Sequence, residues 1–169
     1  VVGYTQHDIE VWARSVARAL ISIGTTKSDS VHISYGYGLF TGGLGLHYGA
    51  EYMGATAIPV SSGNTARQVQ ILQDYGSNIL CCTPSYAMYI GETAREMGID
   101  AKKLPLRAGF FGAEPWTEQM RAELEEILQM KAYDIYGLSE IPGPGVGFEC
   151  PEQNGLHFWE DYYIVEIVD

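Results

Sequence analysis

The run from Tyr136 to Glu140 brings together an aromatic ring, a hydroxyl (Ser139) and a carboxylate. It follows residues 131–135, whose mostly apolar composition predicts a buried strand that ends at the Gly137 turn. At such a turn the ring could stack on a nucleobase and the hydroxyl could bind phosphate. The carboxylate could hold a divalent cation, because Mg2+ prefers oxygen ligands. The meaning of this run depends on which other loops reach the same place.

Two other stretches have the composition of ligand-binding loops. Residues 35–43 combine Tyr35 and Phe40 with several glycines, which favours an aromatic wall against a flat apolar ligand. A plain flexible loop is an equally good interpretation of that composition. The second stretch, residues 112–115, is a short turn that presents Glu114.

A third loop, residues 61–65, comes just before a predicted helix. Backbone N–H groups at a helix N-terminus attract anions, so phosphate binding is one interpretation. The loop lacks the Gly-Lys-Ser/Thr ending of a phosphate loop, and Arg67 is the cation nearest to it in the sequence. We therefore favour helix capping by its Ser, Asn and Thr residues.

The elements that must position these loops alternate regularly. Predicted strands and helices follow each other five times, which indicates an α/β fold with a mostly parallel sheet flanked by helices. Such sheets bind ligands beyond the carboxyl ends of their strands, so we expect the candidate loops to converge at one edge. The predicted helices cover residues 6–23, 44–53, 66–75, 84–97 and 117–128, and the predicted strands residues 31–34, 55–60, 78–82, 106–111 and 131–135.

The residues after Glu140 have a different pattern. Glycines and prolines in residues 141–145 exclude a helix. Residues 145–148 and 156–159 predict a small β-hairpin around the loop at Asn154-Gly155, and residues 162–168 predict a further strand. We therefore divide the chain into an α/β core, residues 1–140, and a β-rich continuation, residues 141–169.

Charge and composition exclude several partners. The chain has 10 Lys and Arg against 21 Asp and Glu, a net charge of −11, which argues against a nucleic-acid backbone as partner. No run approaches the roughly 20 apolar residues of a membrane span. Three cysteines, two of them adjacent, do not form a secreted disulfide framework, so we expect a cytoplasmic protein. Cys81 and Cys82 lie in an apolar strand and are predicted to be core residues.

Cys150 and His157 flank the loop of the predicted hairpin and are candidate zinc ligands. Two such residues seven positions apart are a weak signature. A core cysteine beside a surface histidine explains them as well, and we favour that interpretation.

Taken in order, these motifs closely resemble those of phenylacetate–coenzyme A ligases, which belong to the acyl-adenylate-forming superfamily. The resemblance extends over essentially the whole chain. It rests on the combination of four segments rather than on any one of them: Tyr-Gly-Tyr-Gly-Leu-Phe-Thr-Gly-Gly at 35–43, Gly-Ala-Glu-Pro at 112–115, Asp-Ile-Tyr-Gly-Leu-Ser-Glu at 134–140 and Trp-Glu-Asp at 159–161.

The resemblance implies part of the large N-terminal domain of a ligase that uses ATP, Mg2+ and coenzyme A. An aryl acetate and ATP would give an acyl-adenylate and pyrophosphate, and coenzyme A would then take the acyl group. Tyr136 would stack on adenine, Ser139 would bind phosphate and Glu140 would hold Mg2+. The other implied positions are Gly112, Ala113, Glu114, Asp134, Ile135 and Gly137 around the nucleotide, and Tyr35, Phe40, Gly143 and Pro144 around the aryl group.

The chain also departs from the family pattern. The Ser/Thr/Gly-rich phosphate loop with its lysine, the ribose-binding Asp and the catalytic Lys of the small C-terminal domain have no counterpart in it. We therefore expect residues 1–169 to be an inactive segment of a longer protein. Alternatives are an adenylating enzyme for another acid or acceptor and a non-catalytic binding module. Uncovered sheet edges make a homodimer a further expectation.

Overall fold

The computed structural model describes residues 2–38 and 40–168. Their strands form one sheet in the order β2-β1-β3-β4-β5-β6-β7. The helices are α1 (Gln6–Ser22), α2 (Thr41–Met53), α3 (Thr65–Asp74), α4 (Pro84–Glu96) and α5 (Glu118–Leu128), with a 3-10 turn at Ala101–Lys103. The strands are β1 (Ser30–Ile33), β2 (Thr56–Pro59), β3 (Ile79–Cys82), β4 (Ala108–Gly112), β5 (Lys131–Tyr136), β6 (Gly147–Phe148) and β7 (His157–Phe158).

The predicted architecture is confirmed. Strands β1 to β5 are parallel to their neighbours, whereas β6 and β7 are added antiparallel at the β5 side. The hairpin predicted around Asn154-Gly155 is therefore present and extends the main sheet. None of the helices in the described ranges is long and apolar enough to cross a membrane.

Each face of the sheet has its own hydrophobic core. Successive residues of a strand point to opposite faces, so Cys81 packs with Trp12 of α1 on one side. Its neighbour Cys82 packs with Leu72 of α3 and Leu124 of α5 on the other. Both cysteines are fully buried, which confirms them as core residues. Burial raises the pKa of the Cys81 thiol to about 12.

Helix α2 begins at Thr41, three residues before the predicted start at Leu44. Glycines are poor helix formers, which is why residues 41–43 were assigned to the loop. Later in the same helix, glycines face α1: a Cβ on Gly45 would lie 2.4 Å from the Trp12 ring, and one on Gly49 would lie 2.4 Å from Val16. The glycines therefore allow two helices to approach closely.

The strand predicted for residues 162–168 was wrong. Residues 163–168 have no regular secondary structure, and Ile164 and Ile167 are 94% and 99% exposed. A β-strand requires a neighbouring strand for its backbone hydrogen bonds, and none in the described ranges pairs with this segment.

Candidate functional site

The loops after β1, β4 and β5 meet at the carboxyl edge of the sheet, as expected. They enclose two cavities of about 280 Å³ and about 540 Å³. Ala113, Ile135 and Gly137 line both, so these three residues form a shared wall. Of the predicted site residues, the smaller cavity is also lined by Tyr35, Phe40, Ser139, Glu140, Gly143 and Pro144. The larger one is also lined by Gly112, Glu114, Asp134 and Tyr136.

The turn after β5 requires a glycine at its first position. A Cβ on Gly137 would lie 2.6 Å from the Cα of Gly143 and 2.9 Å from that of Pro144. The two chain segments therefore touch through backbone alone. This contact folds the segment after Glu140 back over the turn and closes one side of the smaller cavity.

Tyr35 has its hydroxyl committed to the sheet. The hydroxyl donates to the carbonyl of Cys82 at 2.6 Å and accepts from the N–H of Gly112 at 3.0 Å. Burial raises the pKa of this buried tyrosine well above its usual range. Its ring lies 6.0 Å from that of Phe40, which is 44% exposed. Tyr35 therefore offers the cavity an apolar ring and no free hydroxyl.

Glu114 lines the larger cavity, but its carboxylate has another partner. The Oε1 atom accepts from the backbone N–H of Ser85 at 2.6 Å, near the N-terminus of α4. Negative charge is favourable at that end of a helix. The preceding residue, Ala113, has a left-handed backbone with φ of 68°. In this structure the carboxylate of Glu114 thus stabilises the connection between the turn and α4.

Asp134 lies half-buried in the larger cavity. Burial raises the pKa of its carboxyl, and a hydrogen bond from the Trp116 side chain acts in the opposite direction. Its backbone N–H donates to Glu149 at 2.7 Å. Sequence analysis missed Trp116 and Glu149, since neither belongs to a local motif. Trp116 could have been suggested by its place immediately after the 112–115 turn.

Two residues of the N-terminal region also reach the site and were missed. The Tyr4 hydroxyl donates to the carbonyl of Ser139, and the Trp12 indole donates to the carbonyl of Pro144 at 2.9 Å. The hydroxyl of Thr41 lies 3.4 Å from that of Ser139. Thr41 lies within the 35–43 stretch, so its position was the one local signal that pointed to the site.

The loop at residues 61–65 confirms the capping interpretation. The side chain of Asn64 accepts from the N–H of Arg67 at 3.2 Å and so caps α3. The side-chain amide of Gln68 stabilises the loop by donating to the carbonyl of Ser61 at 2.6 Å.

Possible metal ligands are dispersed in this part of the chain. Among residues 2–38 and 40–168, no three or more His, Cys, Asp and Glu side chains are grouped so as to hold a metal ion. Cys150 and His157 thus have no third ligand of these types there, and the ring of His157 lies 5.6 Å from that of Phe148. Glu140 is an exposed carboxylate at the cavity mouth. A single carboxylate suits Mg2+, which commonly takes its other ligands from substrate phosphates and water.

Known proteins match the chain over its whole length. A phenylacetate–coenzyme A ligase of Pseudomonas putida is 54% identical over 170 aligned residues, and one of Escherichia coli K12 is 53% identical over 171. The resemblance to phenylacetate–coenzyme A ligases is confirmed. The chain spans 39% of the length of these two ligases. No family model matches the chain.

The fold comparison agrees with that resemblance. A 2-hydroxyisobutyryl-CoA ligase, solved with 2-HIB-AMP and CoA, superposes on 94% of the chain with a TM-score of 0.90 and 28% identity. The chain covers 36% of that ligase. A long-chain-fatty-acid-CoA ligase of Archaeoglobus fulgidus has the same fold, with a TM-score of 0.72 at 15% identity. The chain thus has the fold of the matching segment of these acyl-CoA ligases.

Proposed function

We propose that the protein containing this chain is an aryl-acid–CoA ligase whose acid is phenylacetate. The observation that carries the proposal is the shared wall of Ala113, Ile135 and Gly137 between the two cavities. An aryl acid bound in the smaller cavity and a nucleotide whose base lies in the larger one would meet beside these three residues, with the phosphates towards Ser139 and Glu140. That is the arrangement a reaction between a carboxylate and an α-phosphate needs.

The proposed reaction has two steps. A carboxylate oxygen of the acid attacks the α-phosphorus of ATP, and the bond to pyrophosphate breaks to leave an acyl-adenylate. The sulfur of coenzyme A then attacks the acyl carbon, its proton is lost, and AMP departs to leave the thioester. Both steps depend on positioning and charge neutralisation more than on a protein nucleophile.

The aromatic ring of Tyr136 is half-exposed at the larger cavity, where it would stack on adenine. Ser139 would bind phosphate through its hydroxyl. Glu140 would hold Mg2+, which would neutralise phosphate charge when bound. The rings of Tyr35 and Phe40 would contact the aryl group, with Gly143 and Pro144 opposite. Gly112 and Ala113 would contact the nucleotide mainly through backbone, and Asp134 would lie beside adenine.

The test uses the full-length protein. ATP–pyrophosphate exchange is measured across a panel of arylacetic, benzoic and aliphatic hydroxy acids, and thioester formation is followed with coenzyme A. We expect phenylacetate to give the highest kcat/KM. A preference for an aliphatic hydroxy acid would replace the proposed substrate. No exchange with any acid would favour a non-catalytic binding module.

Glu140→Gln tests the Mg2+ site directly. We expect adenylation to fall by about 10²–10³-fold, because the carboxylate that holds the cation is lost. Glu152→Gln is the matched control, since Glu152 is exposed and does not line either cavity. Near-normal exchange by Glu140→Gln would remove Glu140 from this role.

Compartment and assembly belong to the same proposal. The free thiols of Cys81, Cys82 and Cys150 support a reducing compartment, and we propose the cytoplasm. We also propose a homodimer for the full-length protein. Sedimentation of the purified protein and fractionation of the cells that make it test these two points.

A further inference from the structure

Tyr4, just before α1, and Trp12, within α1, contact two different loops of the candidate site. Tyr4 donates its hydroxyl to the carbonyl of Ser139, 135 positions later in the chain. Trp12 donates its indole N–H to the carbonyl of Pro144, 132 positions later. Ser139 and Pro144 lie on the two segments that touch at Gly137 and border the smaller cavity. The stretch from Tyr4 to Trp12 therefore contacts both segments, although neither of these two residues lines the cavity.

Contacts on both sides of Tyr4 fix its position. The next residue, Thr5, caps α1: its hydroxyl accepts from the N–H of Asp8 at 3.2 Å, and the Asp8 carboxylate accepts from the N–H of Thr5 at 2.7 Å. The ring of Tyr4 lies 5.6 Å from that of Trp12, which is 1% exposed. The capped helix and the buried indole thus set the position of the Tyr4 hydroxyl.

The carbonyl that Tyr4 holds belongs to the peptide bond between Ser139 and Glu140. A peptide unit is planar, so fixing its oxygen also fixes the orientation of the Glu140 N–H and restricts the Cα positions on both sides. Those two Cα atoms carry the hydroxyl and the carboxylate that face the cavity.

We infer that Tyr4 is a positioning residue for adenylation, which orients Ser139 and Glu140 through their shared peptide bond without contacting the substrate. This inference rests on the proposed function for the roles of those two side chains. The alternative is that the hydrogen bond only stabilises the fold. The two roles predict different results for a variant without the hydroxyl. A positioning role affects phosphate and metal binding specifically, whereas a structural role affects the stability of the whole fold.

Tyr4→Phe in the full-length protein removes the hydroxyl and leaves the ring beside Trp12. We expect kcat for ATP–pyrophosphate exchange to fall by about tenfold to 100-fold, since misplacement of a reacting group by 1 Å has effects of that size. The Mg2+ concentration for half-maximal exchange should rise, while KM for the acid should stay within about twofold, because Tyr4 does not line the smaller cavity. Tyr75→Phe, at a mostly exposed tyrosine on α3's C-terminal side, is the matched control and should equal wild type.

Amide hydrogen exchange tests the same inference without relying on activity. We expect peptides covering residues 137–141 to exchange faster in Tyr4→Phe, with no change across α4. Unchanged exchange at this turn together with wild-type kinetics would overturn the inference. Faster exchange throughout the protein, or a loss of the fold, would also overturn it by showing a purely structural role. If wild type itself forms no adenylate, the proposed function fails, and local exchange at the turn still decides whether Tyr4 positions it.

Discussion

The guanidinium of Arg121 donates to both carboxylate oxygens of Glu149, at 2.6 Å and 2.8 Å. The same guanidinium donates to the carbonyl of Ala132 at 2.6 Å, and Glu149 accepts from the N–H of Asp134 at 2.7 Å. The pair therefore connects α5, β5 and the residue that follows β6. It supports the strand that ends in the candidate site.

Arg121→Met is expected to destabilise the protein strongly. The two side chains are only 10% and 6% exposed, so the variant leaves Glu149 buried without its counter-charge. Breaking a buried pair in this way costs about 3–5 kcal/mol, which urea unfolding would measure. The double variant with Glu149→Met should recover much of the loss. Arg67→Met, at an exposed position, is the control, and an equal effect there would contradict this account.

Tyr35→Phe should separate stability from acid binding. The change leaves the carbonyl of Cys82 and the N–H of Gly112 without the hydroxyl, which we expect to cost about 1–3 kcal/mol of unfolding free energy. The ring that faces Phe40 remains, so KM for the aryl acid should hardly change. A large rise in that KM with normal stability would show that the hydroxyl contacts the acid.

Gly137→Ala should damage the site through a backbone clash. The added Cβ would meet the Cα of Gly143 at 2.6 Å, so the two segments around the smaller cavity must separate. We expect a fall in kcat/KM for the acid of about 100-fold, the size of effect produced by a 1 Å displacement. Gly38→Ala is the control, because a Cβ there meets nothing within 4 Å. Equal activity of the two variants would contradict the proposed closure.

His32 should make stability depend on pH. It is fully buried, with Nε2 2.6 Å from Oε1 of Gln68, an oxygen that also accepts from the hydroxyl of Ser34. Its Nδ1 has no hydrogen-bond partner within the part of the chain that the structure describes. Burial lowers the pKa of His32, and the hydrogen bond with Gln68 opposes this effect. His32 is thus buried as the neutral imidazole.

The sign of the effect follows from proton binding. An unfolded histidine has a pKa of about 6.5, so just below that pH the unfolded chain binds a proton that the folded chain does not. The contribution of His32 to stability is therefore present above about pH 6.5 and is lost as pH falls towards its lower folded pKa. Urea unfolding at several pH values should show this loss in wild type and in the exposed control His7→Gln. His32→Gln should reduce it, and an unchanged pH profile in that variant would contradict the assignment.

Local sequence patterns were sufficient to predict the sheet and the edge at which its loops meet. Strand β5 stops next to Gly137, and parallel strands place their carboxyl ends together, so the convergence of Tyr35, Ala113 and Ser139 followed from topology. The starts of α1 and α4 were also predictable, because Thr5 and Thr83 carry capping side chains.

The contacts that hold the site in place were beyond local patterns. Tyr4 and Trp12 find their acceptors more than 130 positions away, and a carbonyl acceptor has no sequence signature. Arg121 likewise carries no local sign of its partner Glu149, which lies 28 positions later and follows β6. The packing partner of Gly45 in α2 could not be identified for the same reason, because the Trp12 indole that its Cβ would meet is distant in sequence.

The hydrogen bonds from Tyr4 and Trp12 also restrict when the site can form during synthesis. The ribosome adds about 5–20 residues per second, so α1 emerges on the order of ten seconds before Ser139 and Pro144 exist. Contacts between distant parts of a chain form late, because closing a long loop costs conformational entropy. Strands β1 to β4 and their helices can pair in that interval. The cavity beside Glu140 is held by Tyr4 and Trp12 only after Ser139 and Pro144 have been made, so the nascent chain has no completed site before then.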